Sequence, residues 1–384
     1  MTDQCNVCAA ALLPALYDSG AGASLTSLCR IVDTPTRVRA CPACAHIQTD
    51  EAVHAPTYYD KEYDILVESE DEDQIYEVIA GTPVFRTAHQ VAVLQDKLSL
   101  SAGTKLLDYG CAKSSTYRAL AQARPDIELN LFDVSDRYVP FWSTFLTPER
   151  WSTYVPRSEW TAYFDVITSF FAFEHIPDPV ASLRTVASLL QPDGRFYCIV
   201  PNVFSNVADL VVVDHVNHFT HTSILRMFSD AGFASVDIDD TVHRGAFVVV
   251  AGKSISGTDA STRVGPSVAA LLAEARRLGD FWSTAAQKAR DFERTLRDDD
   301  VLAVYGAGFY GAFLAAALER PERIRCFLDQ NPHLQGRVVN GRPVIHPSSL
   351  PTDISVLMVG LNPANAKAII DQLDALTALR KFFL

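Results

Sequence analysis

Twice in this chain an apolar strand runs directly into a turn of small residues and then into a helix. Lys105–Tyr109 leads into Gly110-Cys-Ala112-Lys-Ser114, and the strand from Val301 to Tyr305 leads into Gly306-Ala-Gly308-Phe-Tyr-Gly311. A strand that must turn at once onto the face of its own sheet predicts parallel strands with helical crossovers, an α/β fold. Around the first unit the alternation continues. A helix with capping serines is expected over Ser114–Arg124, strands over Leu129–Asp133 and Phe164–Ser169, and a helix over Pro179–Leu190. Gln191–Gly194 reads as a turn, Phe196–Val200 as a strand ending at Pro201-Asn202, and a helix near Thr222–Asp230 precedes strands at Val236–Ile238 and Ala246–Ala251. Lys253–Pro266 has linker composition, and Ser267–Arg297 reads as an amphipathic helix. A further helical stretch is expected to end near Leu98.

The cysteines add a second constraint. Cys5/Cys8 and Cys41/Cys44 form two C-x-x-C pairs, each able to place two thiolates on one metal ion. Four thiolates complete a tetrahedral Zn2+ site, which is structural because no position stays open for chemistry. Cys29 reads as a spare loop thiol, and Cys111, Cys198 and Cys326 as small core residues. The expected organisation is a zinc module at 1–57, a first Rossmann-like sheet with a helical lead-in at 58–252, a linker and helix at 253–299, and a second Rossmann-like domain at 300–384.

Charge excludes some partners. Lys and Arg total 33 against 46 Asp and Glu, a formal charge of −13. A nucleic-acid backbone or an anionic membrane needs a basic surface, so neither is the expected partner. The uncharged run Val301–Leu318 is interrupted by three glycines and suits a buried strand–turn–helix better than a bilayer span. The N-terminus shows no basic region followed by an apolar run, and the expected location is the cytoplasm. Residues 61–80 hold eight acids and one lysine, which suits a solvated helix face or a lid.

The first turn resembles motif I of class I S-adenosylmethionine-dependent methyltransferases. Asp108 and Gly110 match that motif, and Ala112 and Ser114 stand where it has further glycines. The resemblance implies that Asp108, Gly110 and Ala112 hold the methionine end of the cofactor and that Asp133 accepts from the ribose. The stretch Phe164-Asp-Val-Ile-Thr-Ser169-Phe170, continuing to Glu174-His175-Ile-Pro177, is similar to the fourth-strand motif of these enzymes, and it adds Ser169 and Phe170 as cofactor candidates. Leu189-Leu-Gln-Pro192-Asp-Gly194 is similar to the segment preceding their fifth strand.

The whole layout resembles the zinc-containing bacterial sugar C-methyltransferases. That resemblance implies methylation of a nucleotide-linked deoxysugar, at carbon next to a ketone. Such a reaction needs a base for the α-proton and a donor for the enolate oxygen. Asp214-His215-Val-Asn-His218-Phe stands where the family has a Glu-His pair, with Asp214 for Glu and His218 for Tyr. His215 is the implied base with Asp214 orienting it, and His175 and His218 are implied hydroxyl or oxyanion contacts. Tyr59, Tyr63 and Asn202 are the substrate-binding candidates. Other readings stay open: an O- or N-methyltransferase on a glycan or natural-product intermediate, a bifunctional enzyme that binds a dinucleotide at Gly306-Gly308-Gly311 with Asp329 as its ribose acid, or a non-catalytic zinc-binding regulatory protein. The sequence leaves the oligomeric state open.

Overall fold

The computed structural model describes residues 3–20, 22–50, 58, 73–79, 82–254 and 265–384. They form two compact units. The first comprises Met1–Leu12, Cys41–Asn206 and Val216–Leu271, and the second Leu13–Ala40, Val207–His215 and Leu272–Leu384.

The first unit is built on a seven-stranded sheet. In chain order its strands are β1 (Lys105–Tyr109), β2 (Glu128–Asp133), β3 (Trp151–Thr153), β4 (Phe164–Phe170), β5 (Leu190–Pro201), β6 (Ser235–Asp239) and β7 (Ala246–Gly252). Their spatial order is β3-β2-β1-β4-β5-β7-β6; the first five are parallel, and β7 runs antiparallel to both its neighbours. Side chains alternate across it. Leu107, Ile167, Phe196 and Val249 pack into one apolar cluster, and Leu106, Val166, Tyr197 and Val248 into another. This two-fold period, with both faces buried, explains why the strands read as almost unbroken apolar runs. Helices α1 (Arg86–Lys97), α2 (Ser115–Ala123), α3 (Pro179–Leu189) and α4 (His221–Asp230) belong to this unit. Pro179 opens α3 behind an Asp178 cap, and Thr220 and Ser223 close a reciprocal capping pair on α4.

Two local expectations change. Gln191–Gly194 is not a free turn but a bulge within β5: Phe164 pairs with Leu190 and Val166 already with Arg195. Ahead of α1 the chain forms a hairpin, Ile75–Ile79 against Thr82–Phe85, where a helix is expected. The β-branched and aromatic residues Ile75, Tyr76, Val78, Ile79, Val84 and Phe85 favour strands, and Pro83 disfavours a helix interior.

The second unit has a six-stranded sheet made of β8 (Leu302–Tyr305), β9 (Ile324–Leu328), β10 (Val338–Val339), β11 (Arg342–Ile345), β12 (Val356–Val359) and β13 (Arg380–Phe383). Its order is β10-β11-β9-β8-β12-β13, parallel except for β10. Helix α5 (Val268–Arg294) carries Trp282, whose Nε1–H donates to the Val207 carbonyl at 2.9 Å, and α6 (Phe309–Ala317) follows β8.

This division departs from the linear boundaries at 57, 252 and 299. Residues 13–40, between the two cysteine pairs, build onto the C-terminal sheet. Ile31 N–H donates to Asn340 Oδ1 at 3.0 Å, and Asn340 Nδ2 donates to the Cys29 carbonyl at 3.0 Å. Gly279 in α5 lies so close to Leu16 that a Cβ there would sit 2.2 Å from its carbonyl oxygen. Among the described residues, no helix is long and apolar enough to cross a membrane.

Candidate functional site

The carboxyl ends of β1, β2 and β4 converge beside the first turn, at the point where strand order reverses and where open α/β sheets bind ligands. Asp108, only 2% exposed, accepts from Ser114 Oγ at 3.1 Å and from Thr168 Oγ1 at 3.2 Å. Burial pushes its carboxyl up to about 7, against the pull of those two bonds and with a push from the charge of Asp133. Burial also raises Asp133, to about 6, although the N–H groups of Ala112, Ser135 and Val134 oppose the shift. Two buried acids held above the ordinary carboxylate range form a site that a cation would complete.

The turn itself explains the missing glycines. Gly110 has φ +76, and a Cβ there would lie 2.7 Å from Ala172 Cβ. Ala112 and Ser114 also adopt left-handed backbone, at φ 44 and φ 57. For residues with a Cβ this costs about 1–2 kcal/mol each. Specific bonds oppose that cost: Ala112 N–H donates to Asp133 Oδ2 at 2.7 Å, and Trp142 Nε1–H donates to the Ala112 carbonyl at 2.7 Å. Ser114 makes no side-chain cap to α2, contrary to the expected capping serines, because its hydroxyl is turned back onto Asp108.

The structure brings Asp108, Gly110, Ala112, Asp133, Ser169 and Phe170 together at this edge. Ser169 is buried and donates from Oγ to the Tyr109 carbonyl at 2.8 Å, so it ties β4 to β1. Phe170 is half-buried, with its ring 5.8 Å from that of Tyr197. His175 is half-buried in the short turn Phe173–His175 that follows β4. Asn202 uses its Oδ1 to accept from Phe204 N–H at 3.1 Å, a turn-forming bond. His218 is fully buried, with Nε2 2.8 Å from Thr49 Oγ1, on a short strand paired with Ile47. Tyr59 and Tyr63 lie outside the described residues, as does most of the acidic stretch around them.

His215 and Asp214 belong to the second unit, and their relation differs from the expected one. The buried carboxylate on the His215 ring is Asp209, 2.6 Å from Nδ1. Asp214 instead accepts from Ser27 N–H at 2.6 Å and Ser27 Oγ–H at 2.8 Å. Adjacent residues point their side chains apart, whereas Asp209 lies across a single 3-10 turn, Val207–Val211, from the ring. A carboxylate at Nδ1 accepts that N–H and leaves Nε2 as the basic nitrogen. Sequence proximity therefore named the wrong orienting acid.

The four cysteines meet as expected. Their sulfurs all lie within 4.8 Å of one another, with Cys5–Cys44 at 3.7 Å and Cys8–Cys41 at 3.5 Å. Four sulfurs bound tetrahedrally at Zn–S distances of about 2.3 Å would be about 3.8 Å apart. The two knuckles repeat one design: Val7 N–H donates to Cys5 Sγ and Ala43 N–H to Cys41 Sγ, each at 3.4 Å. The donor set fits Zn2+.

In the second unit, Gly306 N–H donates to the Leu328 carbonyl at 2.8 Å and Ala307 N–H to Asp329 Oδ2 at 2.8 Å. Sequence reasoning missed one further cluster in the first unit, formed by Tyr76, His89 and His243. Its members are far apart in sequence and share no motif, so only the fold assembles them.

Residues 86–238 match the family described as a methyltransferase domain. The C-methyltransferase NovU of Streptomyces niveus is 31% identical over 187 residues, covering 44% of this chain and 44% of NovU. The chain thus matches less than half the length of that relative. Among solved structures, PigF with SAH is 17% identical over 44% of this chain and 55% of its own, with a TM-score of 0.36. The CurJ carbon methyltransferase is also 17% identical over 44% of this chain and 55% of its own, with a TM-score of 0.37. Residues 86–238 are a methyltransferase domain of the S-adenosylmethionine-dependent class.

Proposed function

We propose that this protein transfers the methyl group of S-adenosylmethionine to carbon, next to a ketone, on a nucleotide-linked deoxysugar. The observation that carries methyl transfer is the buried Asp108 beneath a left-handed turn, with Asp133 beside it. Asp108 would face the ammonium of the cofactor and Asp133 its ribose hydroxyls. The cofactor supplies an electrophilic methyl on a sulfonium. Carbon as the acceptor atom is supported by the likeness to NovU, and the sugar by the resemblance of the whole layout. His215 would remove the α-proton through Nε2, with Asp209 holding the imidazolium that results. His215 would keep that proton, and the enolate carbon it leaves would be the nucleophile for the methyl, with S-adenosylhomocysteine as the leaving group. Zn2+ on Cys5, Cys8, Cys41 and Cys44 would be structural.

The test incubates the protein with S-adenosylmethionine and a thymidine-diphosphate-linked 4-keto-6-deoxyglucose, and locates the added mass by fragmentation. Methyl on carbon is the expected result; methyl on oxygen or nitrogen would replace the reaction class. In deuterated water His215→Ala should lose exchange of the α-proton, and full exchange would remove it as the base. One zinc per chain, lost on Cys41→Ser, checks the metal.

A further inference from the structure

His89 and His243 face one another in the first unit, their ring centroids 5.1 Å apart. His243 is only 4% exposed, and its Nε2 has no hydrogen-bond partner among the described residues; the buried Nε2 of His89 has none either. The other nitrogen of each ring is engaged. His243 Nδ1 lies 3.3 Å from the Arg244 carbonyl, and His89 is hydrogen-bonded to the Val242 backbone. A carbonyl can only accept, so each Nδ1 carries the proton and each Nε2 presents a bare lone pair. Leaving two such acceptors buried and unmatched is costly unless something else uses them.

Their surroundings say what could. Phe171, directly after β4, packs against His243 at 5.4 Å, so the pair sits at the ligand-binding edge of the sheet. The Arg86 guanidinium lies 4.1 Å over the Phe171 ring and that of Arg244 5.5 Å over Tyr76. Two cations at the rim disfavour a metal ion and favour an anion. Burial pulls His243 down to about 4 against its bond to the Arg244 carbonyl and with help from the charges of His89, Arg86 and Arg244, and burial also lowers His89, so the site favours the neutral form of both rings. Tyr76 covers them: its ring stacks on His89 at 3.8 Å and meets His243 edge-on at 5.0 Å. Tyr76 stands on the strand Ile75–Ile79 and is tied to Arg244 by two hydrogen bonds of 2.7 Å.

We propose that His89 and His243 form the acceptor-substrate subsite of the methyltransferase domain, their Nε2 atoms receiving two hydroxyl protons of a phosphate-bearing sugar ring that takes the place of the Tyr76 ring. This deepens the sugar reading above and rests on it. The test uses the full chain with thymidine diphosphate glucose, which binds as a nucleotide sugar but has no ketone to react. Nitrogen-15 spectra of the histidines should show both Nε2 atoms unprotonated, and both resonances should move when the probe is added. His89→Phe and His243→Phe should each weaken probe binding about tenfold or more, as loss of a hydrogen bond to a buried acceptor would. His243→Gln should restore most of it, while calorimetric binding of S-adenosylhomocysteine stays within about twofold in all three variants as the check on folding.

Wild-type probe affinity in the double Phe variant overturns the subsite, as does failure of the probe to bind or to move either resonance. A second zinc per chain that His243→Phe abolishes would make it a cation site and overturn it equally. Movement of both resonances in a protein that methylates no keto sugar would sink the reaction reading and leave the subsite standing.

Discussion

The two strand–turn–helix units share one backbone plan and differ in chemistry. In both, the glycine after the strand donates to a carbonyl near the end of the next strand: Gly110 to Phe132 at 2.9 Å, Gly306 to Leu328 at 2.8 Å. In both, an acid at the end of that strand accepts from a backbone N–H of the turn and from the N–H two residues further on: Asp133 from Ala112 and Ser135, Asp329 from Ala307 and Asn331. Two residues before the glycine, however, the first unit has Asp108 and the second Val304. The first turn keeps residues with side chains in left-handed backbone and spends them on hydrogen bonds. The second is fixed by bare backbone packing: a Cβ at Gly306 would lie 2.4 Å from the Gly360 oxygen, and one at Gly311 only 1.8 Å from the Gly306 oxygen. One plan thus serves once as a charged cradle and once as a tight strand–helix junction. A glycine pattern alone does not tell the two apart.

The comparison can be broken at several points. Gly311→Ala should have the largest effect, because backbone must move; about 4 kcal/mol or more of stability should be lost, read by chemical denaturation. An unchanged midpoint would show that the junction is not locked. Asp108→Asn should weaken calorimetric binding of S-adenosylhomocysteine about 100-fold, the scale of a lost charge-assisted bond. Asp329→Asn, at the second unit's counterpart of Asp133, should leave that affinity within about twofold. Equal losses from the two variants would mean that both turns hold the cofactor.

The pH dependence is smaller and sharpens the same contrast. Asp108 and Asp133 are raised by burial to about 7 and about 6. A carboxyl raised on folding favours the folded state at low pH, and that advantage disappears as pH rises through its folded value. The cofactor-free protein should therefore lose stability relative to Asp108→Asn between about pH 4 and 7, from the ordinary carboxyl value to the raised value of Asp108. Binding of S-adenosylhomocysteine should tighten over the same interval, since its ammonium favours the ionised acid. Parallel stability curves for the two proteins would show that Asp108 is not raised. Ser114→Gly should change least: relief of left-handed strain of about 1 kcal/mol offsets the lost bond to Asp108, so stability stays level while affinity falls a few-fold.

Much of this molecule was legible in the sequence because it depends on neighbours along the chain. The central strands, the helices that cross between them, the acids closing β2 and β9 and the pairing of two C-x-x-C knuckles all follow from local pattern. Apolar runs mark strands buried on both faces, and a glycine after a strand marks a turn. Long-range pairing was not legible. Nothing in residues 13–40 says that they join the C-terminal sheet through Asn340, which sequence places at the far end of the chain. Nothing in Asp214-His215 reveals that Asp209 is the acid on the histidine, or that Asp214 is taken by Ser27. The serine expected to cap α2 serves Asp108 instead, because a buried carboxyl gains more from a donor than an exposed helix end does. The Tyr76–His89–His243 cluster exists only once a hairpin, a helix and a loop are folded onto one sheet edge. Sequence by itself determined the elements and which residues could carry chemistry. The tertiary structure decided which donor meets which acceptor, because burial penalises a polar group without a partner and only the folded chain sets which partners are within reach.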